Sequence, residues 1–572
     1  MARYREKILP LAPTVALLVF AFFIAFAPWA AGERELSWKE GYIIAQAQDM
    51  TFTPLMLVKA HGEAIPNAQP LFPMLGRVAS LLGCPLELAM RMLSMASLLG
   101  IAAVVFIVSF RTRSSVAAGA AAGAMMLTSL LAVDKTPDGF GHWLLVLILL
   151  GGHLSWYYYA ALKGDWSKAW ICGFAACALG FYLVGIVSLI FFLVPLIFMR
   201  RPLGIFGRLR NRGTAVGVGL LAAAVLLWYL PYHFAGVQIA SVYPATNILD
   251  GSEYIKHLLT FPLDLGLRLL PWALLAWAPF CVQLQTLDAT PMFSRFLRTL
   301  FLVDFFMLWI TPLDEVYDWL ILLPPLAIMT GLNYEIVIRR YGNFFLHLAN
   351  TLAAVLLPGA GVVLLAFFLL PGDLITETLE LERFWDYGSD FGRKILGITA
   401  AVMLLVSGAL LWKMRRKPPV WCYWLIISFA PLLVYNCIIQ PYRALEHPRR
   451  DQAQILQQAL LQDGAARGVL LYKYELNDLF VEAVYLKSPV QKVTSLTMLP
   501  GNGEPVVYLL AGSFPNCPER SWRSLLPEPL ETRGRKFNLW RGQWQENQVP
   551  AERKRTPLLD ELKRQPGQGG NL

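Results

Sequence analysis

Along most of the chain, apolar runs recur at roughly the 20-residue length that an α-helix needs to cross the hydrocarbon core of a bilayer, and short polar segments between them gather the charge. The runs fall near residues 9–29, 86–110, 115–133, 139–161, 168–182, 184–199, 214–231, 260–283, 296–312, 317–334, 345–370, 395–412 and 420–439. Backbone amides in hydrocarbon must be bonded within their own segment, so each run is predicted to be a helix. The pattern predicts an all-α polytopic membrane domain of about 13 transmembrane helices over residues 1–440, with a first external loop at 30–85. Residues 1–31 have the basic start and apolar core of a signal peptide, but the core is long and reads as an uncleaved first span.

Beyond residue 440 the period changes. "EHPRRDQAQILQQALLQDGAARG" predicts an amphipathic helix, "VLLYKY" a strand, "NDLFVEAVYL" a helix and "PVVYLLAGS" a strand, which together make a small C-terminal α/β domain over 441–542. Residues 543–572 turn polar and read as a flexible tail.

Composition agrees with the pattern: 56% of the chain is hydrophobic and 15% charged. The net charge of +10 changes the picture only through its placement. With the N-terminus cytoplasmic, Arg111 and Arg113, Lys163 and Lys168, "RRPLGIFGRLRNR", Arg295 and Arg298, Arg339 and Arg340, and "KMRRK" all fall on the cytoplasmic side, while "DKTPDG", "TPLDEVYD" and "PGDLITETLELERFWDYGSD" fall outside. This predicts a multi-pass protein of the inner (cytoplasmic) membrane whose C-terminal domain is extracytoplasmic, in the periplasm. It also removes nucleic acid as a partner, since the positive charge is spent on topology. The seven cysteines are scattered without metal-ligand or redox spacing, and His61, His233 and His257 form no HExxH-type motif.

The candidate chemistry lies in the external loops. Ser37 followed by Glu40 is a capping-box pattern at a helix start. At about 100° per residue Glu40 shares an arc with Ile43, Ile44 and Ala47, which aims its carboxylate at whatever buries them, expected to be the membrane-facing body. Both readings stand: a helix cap, or a catalytic carboxylate. Asp138 in "TPDGF" is a second acid, otherwise an ordinary loop residue before a span; Glu40 and Asp138 are also carboxylates able to hold a divalent cation. Charge inside a span is costly and tends to mark function or an internal partner, which singles out Arg91 and Arg268; their plain alternatives are i,i+4 ion pairs with Glu87 and Asp264. Lys59, Arg77 and Lys135 are further cations of the outer loops, as phosphate contacts or interfacial anchors. "WYYYA" (Trp156–Tyr159) reads as an aromatic belt at the inner end of a span.

The first external loop resembles that of the GT-C glycosyltransferases, the class of protein O-mannosyltransferases and lipid A aminoarabinose transferases. The matching positions are Glu40, Asp49 with Met50, Pro54, Gly62 with Glu63, Pro70 with Leu71, and Arg91 in "AMRMLS"; Asp138, "FPLDLGLRLLPWALL" and "VYDWLILLPPLAIMTG" follow in order. The chain departs from the family's pattern at Lys39, Ala68 and about Val184, where an acid and two lysines are usual. The resemblance implies transfer of a sugar from a polyprenyl-phosphate donor to a lipid, glycan or protein acceptor at the outer membrane face. In that chemistry Glu40 is the general base with Asp138 as its partner or a holder of the acceptor, and Arg91, Arg268, Lys59 and Arg77 are donor-phosphate contacts. Two other readings remain at this point: a non-catalytic lipid-binding relative, and a transporter or flippase of lipid-linked sugars.

Overall fold

In a computed structural model the protein describes residues 34–50, 57–237 without 67 and 201, 249–311, 318–369 without 352–354, 391–414 and 448–545 without 467, 477, 487, 501–503 and 533, together with 424, 425, 427, 428 and 435. The chain divides into two compact units. The first comprises Met1–Glu35, Met50–Val58 and Ala64–His447; the second joins Leu36–Asp49 and Lys59–Glu63 to Pro448–Leu572.

In chain order the helices begin with α1 (Trp38–Asp49), of the second unit, and α2 (Leu71–Leu81), of the first. The longest early span is α3 (Leu86–Arg113), with Glu87 in its first turn and Arg111 and Arg113 in its last, each at the end of the helix dipole that favours its charge. α4 (Val116–Thr128) starts on Ser115, whose hydroxyl accepts from the Ala118 amide, and is built largely of alanine and glycine. Those small residues let backbones approach: a Cβ on Gly331 would lie 2.5 Å from the Ala118 carbonyl, and one on Gly119 3.0 Å from the Phe106 carbonyl. The run expected as one span at 115–133 is in fact two helices, because Ser129 is extended and the next amide, Leu130, donates to the Leu270 carbonyl at 3.0 Å before α5 (Leu130–Lys135) begins.

α6 (His142–Tyr157) continues as a π-helix over Tyr158–Lys163, and α7 (Trp166–Val184), α8 (Val187–Ile197) and α9 (Arg212–Phe234) follow. Gly185, at φ +67, makes the break between α7 and α8 that the sequence pattern places there. α10 (Gly251–Arg268) bends by 108° into Ala273–Phe280, so the run expected at 260–283 is a broken element rather than a straight span. α11 (Pro291–Ile310), α12 (Leu323–Thr351), α13 (Leu357–Leu369) and α14 (Phe391–Met414) complete the first unit. α12 is kinked at Tyr341, so it carries past the gap expected between 334 and 345. Among the described residues six helices are long and apolar enough to cross a membrane, or seven counting the bent pair. The runs at 9–29 and most of 420–439, and the tail from 546, lie outside the described residues.

The second unit is a sheet packed under helices. A two-stranded ribbon, β1 (Lys59–Ala60) and β2 (Glu63–Ala64), precedes β3 (Leu471–Tyr474), β4 (Val490–Val493), β5 (Val506–Ala511), β6 (Arg520–Ser524), β7 (Leu530–Thr532) and β8 (Arg535–Trp544), which form one sheet in the order β4-β3-β5-β8-β6 with β7 on β8. β3 is parallel to both its neighbours and β8 antiparallel to its own. The two strands expected from the sequence, β3 and β5, are adjacent in the sheet. One face is covered by α15 (Pro448–Gln462) and α16 (Phe480–Leu486), through Leu456, Leu460 and Ala483 on Leu471, Leu510 and Leu539. α1 of the first external loop lies against α16: a Cβ on Gly41 would sit 2.8 Å from the Val481 side chain and 2.9 Å from its backbone nitrogen.

Candidate active site

Glu40 is the third residue of α1 and is only 2% exposed. Its Oε2 accepts the Ser37 amide at 2.8 Å and its own amide donates to the Ser37 hydroxyl at 3.3 Å, the reciprocal pair of a capping box. Ile44 and Ala47 are buried on the same arc, as the helical period predicts, while Ile43 is partly exposed. The expectation placed the membrane-facing body under this helix; within the second unit its packing partner is α16, with Trp38 and Tyr42 edge-on to Phe480.

The β1–β2 ribbon extends this surface. His61 and Gly62 turn it with φ +54 and +77, a conformation only glycine adopts without strain at the second position, and the Gly62 amide donates to Asp49 Oδ2 at 2.7 Å. Lys59 is exposed on this ribbon. The His61 ring stacks on Phe480, with centroids 4.9 Å apart, and the Lys473 ammonium lies 4.3 Å from the same ring. Burial, with Lys473 adding repulsion, pushes His61 down to about 3. Burial also lowers Lys473 to about 8, with Lys492 in support and Glu63, Asp478 and Asp49 opposing. Lys492 in turn binds Glu63 at 2.7 Å.

In the first unit the other predicted acid is held differently. Asp138 is 3% exposed, and its Oδ1 lies 2.7 Å from Nη1 of Arg34, the more open partner. The carbonyl of Arg34 accepts from Arg91 Nη2 at 3.1 Å, and Arg91 Nη1 binds Glu87 at 2.9 Å. Glu87, Arg91, Arg34 and Asp138 thus form one connected chain, in which the i,i+4 pair of Arg91 is real and serves as a strut for Arg34. Arg268 does not pair with Asp264: its guanidinium reaches Asp134 Oδ2 at 3.5 Å and lies over the Trp319 ring. Asp134 also binds Lys135 at 3.1 Å and accepts from the Tyr435 hydroxyl at 2.6 Å. Arg268 is the last residue of α10, and Asp134 lies in the last turn of α5. Arg77 stands apart on α2, its Nε buried without a hydrogen bond. The predicted phosphate contacts therefore fall in several places: Arg91 in one network, Arg268 in another, Arg77 and Lys59 in neither.

Sequence reasoning missed Arg34, Asp134 and Asp304. Asp304 sits within α11, 2% exposed, with Oδ1 lacking a partner, and lines a small cavity with His153, Ile321, Pro324 and Pro325. The cavity has about 20 Å³ of free volume, room for about one water. A lone carboxylate inside an apolar run was the available signal. Among the described residues no three His, Cys, Asp or Glu side chains gather as a metal site, and Asp138, offered as a cation ligand, faces an arginine instead.

Two crystal structures of ArnT from Cupriavidus metallidurans superpose on this architecture. The one bound to undecaprenyl phosphate gives a TM-score of 0.63 at 16% identity, covering 93% of this chain and 98% of that one. The apo structure gives 0.60 at 16% identity, covering 93% and 97%. The chain has the ArnT fold. The expected likeness to GT-C glycosyltransferases of the lipid A aminoarabinose transferase type therefore holds at the level of architecture. No protein-family model matches the sequence, and no curated protein sequence matches it significantly. At 16% identity the ArnT likeness carries the fold and not the chemistry.

Proposed function

We propose that this chain is an integral-membrane glycosyltransferase that moves a sugar from a polyprenyl-phosphate donor to an envelope lipid, glycan or protein. The observation that carries the reading is the ArnT fold along 93% of the chain, one of the matching ArnT structures being bound to undecaprenyl phosphate. In this reading about 13 spans place the N-terminus in the cytoplasm. Residues 1–440 are the membrane domain, 441–542 the periplasmic α/β domain and 543–572 a tail.

An acceptor hydroxyl is a poor nucleophile at neutral pH, and Glu40 takes its proton as general base. Its capping-box bonds fix the carboxylate at the start of α1, so the base arrives already oriented. Asp138 serves as a positioning residue: it holds the Arg34 guanidinium, while Arg91 holds the Arg34 backbone. Arg34 and Arg268 then face the negative charge that grows on the departing polyprenyl phosphate, with Lys59 and Arg77 as outer contacts. The donor set around Asp138 fits an arginine rather than a divalent ion, and no step is assigned to a metal.

The test is reconstitution of the full chain in lipid vesicles with polyprenyl-phosphate sugars and a panel of acceptors. Sugar transfer that Glu40→Gln abolishes supports the reading. Binding of the lipid donor without transfer to any acceptor would make the chain a non-catalytic relative, and movement of the intact donor across the vesicle would make it a flippase.

A further inference from the structure

A second region of the first unit lies at the end of the bundle where α3, α6 and α8 finish and α11 begins. There α6 gives up its α-helical winding at Tyr158 and ends as a π-helix, a distortion often found where a helix makes room for function. Two cavities flank the first turn of α11 and share Pro291 and Met292 as a common wall. The larger, of about 760 Å³, is lined by Arg111 and Thr112 of α3, Ser155 of α6 and Tyr158 and Leu162 of the π-turn. The smaller, of about 560 Å³, is lined by Phe198, Arg200, Leu203, Arg295 and Thr299.

The chemistry of the shared wall is that of an anion site. Pro291 occupies the first helical position, so the amides of Met292 and Phe293 have no acceptor within the helix, and the positive end of the helix dipole lies between the two cavities. The Thr290 hydroxyl at this point is buried and without a hydrogen-bond partner. Arg111 contributes positive charge from one side, Arg200 and Arg295 from the other, and among the described residues no Asp or Glu lines either cavity. The acid nearest in sequence, Asp288, is turned to the Thr290 amide at 3.0 Å. Away from the arginines the walls are apolar, from Val108 and Leu154 in one cavity to Phe198 and Leu203 in the other.

We propose that this is a binding site for one anionic diacyl phospholipid, its phosphate at the start of α11 between Arg111 and Arg295 and its acyl chains in the two flanking grooves. A soluble phosphate would satisfy the arginines and leave the apolar walls against water, whereas a lipid satisfies both. Tyr158, Leu162 and Phe198, each at least 44% exposed, provide the apolar surface along which the chains leave the site.

Full-length protein in detergent micelles is mixed with phosphatidylglycerol and phosphatidylcholine of identical chains, and retained lipid is counted by native mass spectrometry. The expected result is preferential retention of phosphatidylglycerol, about tenfold weaker in Arg111→Ala/Arg295→Ala and largely kept in Arg111→Lys/Arg295→Lys. Equal retention of the two lipids by the unaltered protein means annular lipid only and overturns the proposal, as does unchanged retention in the alanine variant. Displacement of the lipid by millimolar inorganic phosphate makes this a soluble-anion site and overturns it too. The comparison of the two lipids on the unaltered protein decides the matter even where a variant does not fold.

Discussion

Glu40 and Asp138 are equally buried, at 2% and 3% exposure, and one contact of each illustrates a different way of holding a carboxylate. Glu40 is fixed by hydrogen bonds of its own chain, a backbone amide and a serine hydroxyl within three residues. Asp138 is fixed by the charge of Arg34, more than a hundred positions away in sequence, in a chain that continues to Arg91 and Glu87. The cap itself survives loss of the charge, because glutamine can accept the same amide. The ion pair of Asp138 with Arg34 does not, since its strength is the attraction of the two charges. The difference is one that substitution can read separately at each acid.

The sharpest way to break this comparison is to neutralise each acid in turn. Glu40→Gln is expected to lower sugar transfer by about 10²- to 10⁴-fold, the usual contribution of a general base, with the thermal midpoint unchanged. Full activity in that variant would remove Glu40 from the chemistry. Asp138→Asn is expected to cost stability first, about 1–3 kcal/mol by denaturant titration, since Arg34 is partly exposed and water recovers part of the lost pair. Asp138→Asn with unaltered stability and abolished transfer would reverse the two roles.

The same contrast explains what could be read from the sequence. Glu40, its cap and its buried arc are local, set by the 3.6-residue period and a three-residue spacing, and the structure keeps them. The helices predicted from apolar runs also stand where one run makes one helix, as at Leu86–Arg113 and Arg212–Phe234. The pattern failed where a local feature interrupts a run that hydropathy alone treats as continuous: Ser129 splits 115–133, and the bend after Arg268 splits 260–283. The Asp264–Arg268 pairing failed for another reason: both residues lie in one helix at the right spacing, but Asp134 reaches Arg268 from elsewhere in the chain. Four strands of the six-stranded sheet were missed because they are short or carry polar residues, as in "RSWRS" and "RKFNLWRGQW". The packing of α1 on α16 leaves a trace only in Gly41, whose missing side chain is required by Val481.

A smaller effect sharpens the contrast within the second unit. His61 has its folded value pushed down to about 3 from 6.5, so between those values the unfolded chain binds more protons and acid weakens the fold. Its stability is expected to fall by about 2 kcal/mol from pH 6.5 to 5, read by hydrogen exchange in α15 of the full chain. His61→Phe, which keeps the ring on Phe480, is expected to flatten that limb. Lys473 works in the same direction at the other end: lowered to about 8, it makes the unit gain stability as pH rises from 8 toward 10.5. An acid limb that persists in His61→Phe would assign the proton to another group.

The smallest effect concerns Asp304, another buried acid, which has neither the cap of Glu40 nor the arginine of Asp138. Its Oδ1 lacks a partner, and it shares its cavity with Ile321, whose carbonyl can receive no helical amide because Pro324 and Pro325 occupy both positions that would supply one. An amide at position 304 keeps an acceptor oxygen in that cavity and adds a donor, without a charge to bury. Asp304→Asn is therefore expected to change the thermal midpoint by the equivalent of about 1 kcal/mol or less, toward greater stability, and to leave transfer intact. Asp304→Leu removes one of the two polar side chains that line that cavity among the described residues, and is expected to be the less stable of the two. If asparagine proves the more damaging, the carboxylate's charge or proton is needed there, and Asp304 joins Asp138 as a placed charge rather than a tolerated one.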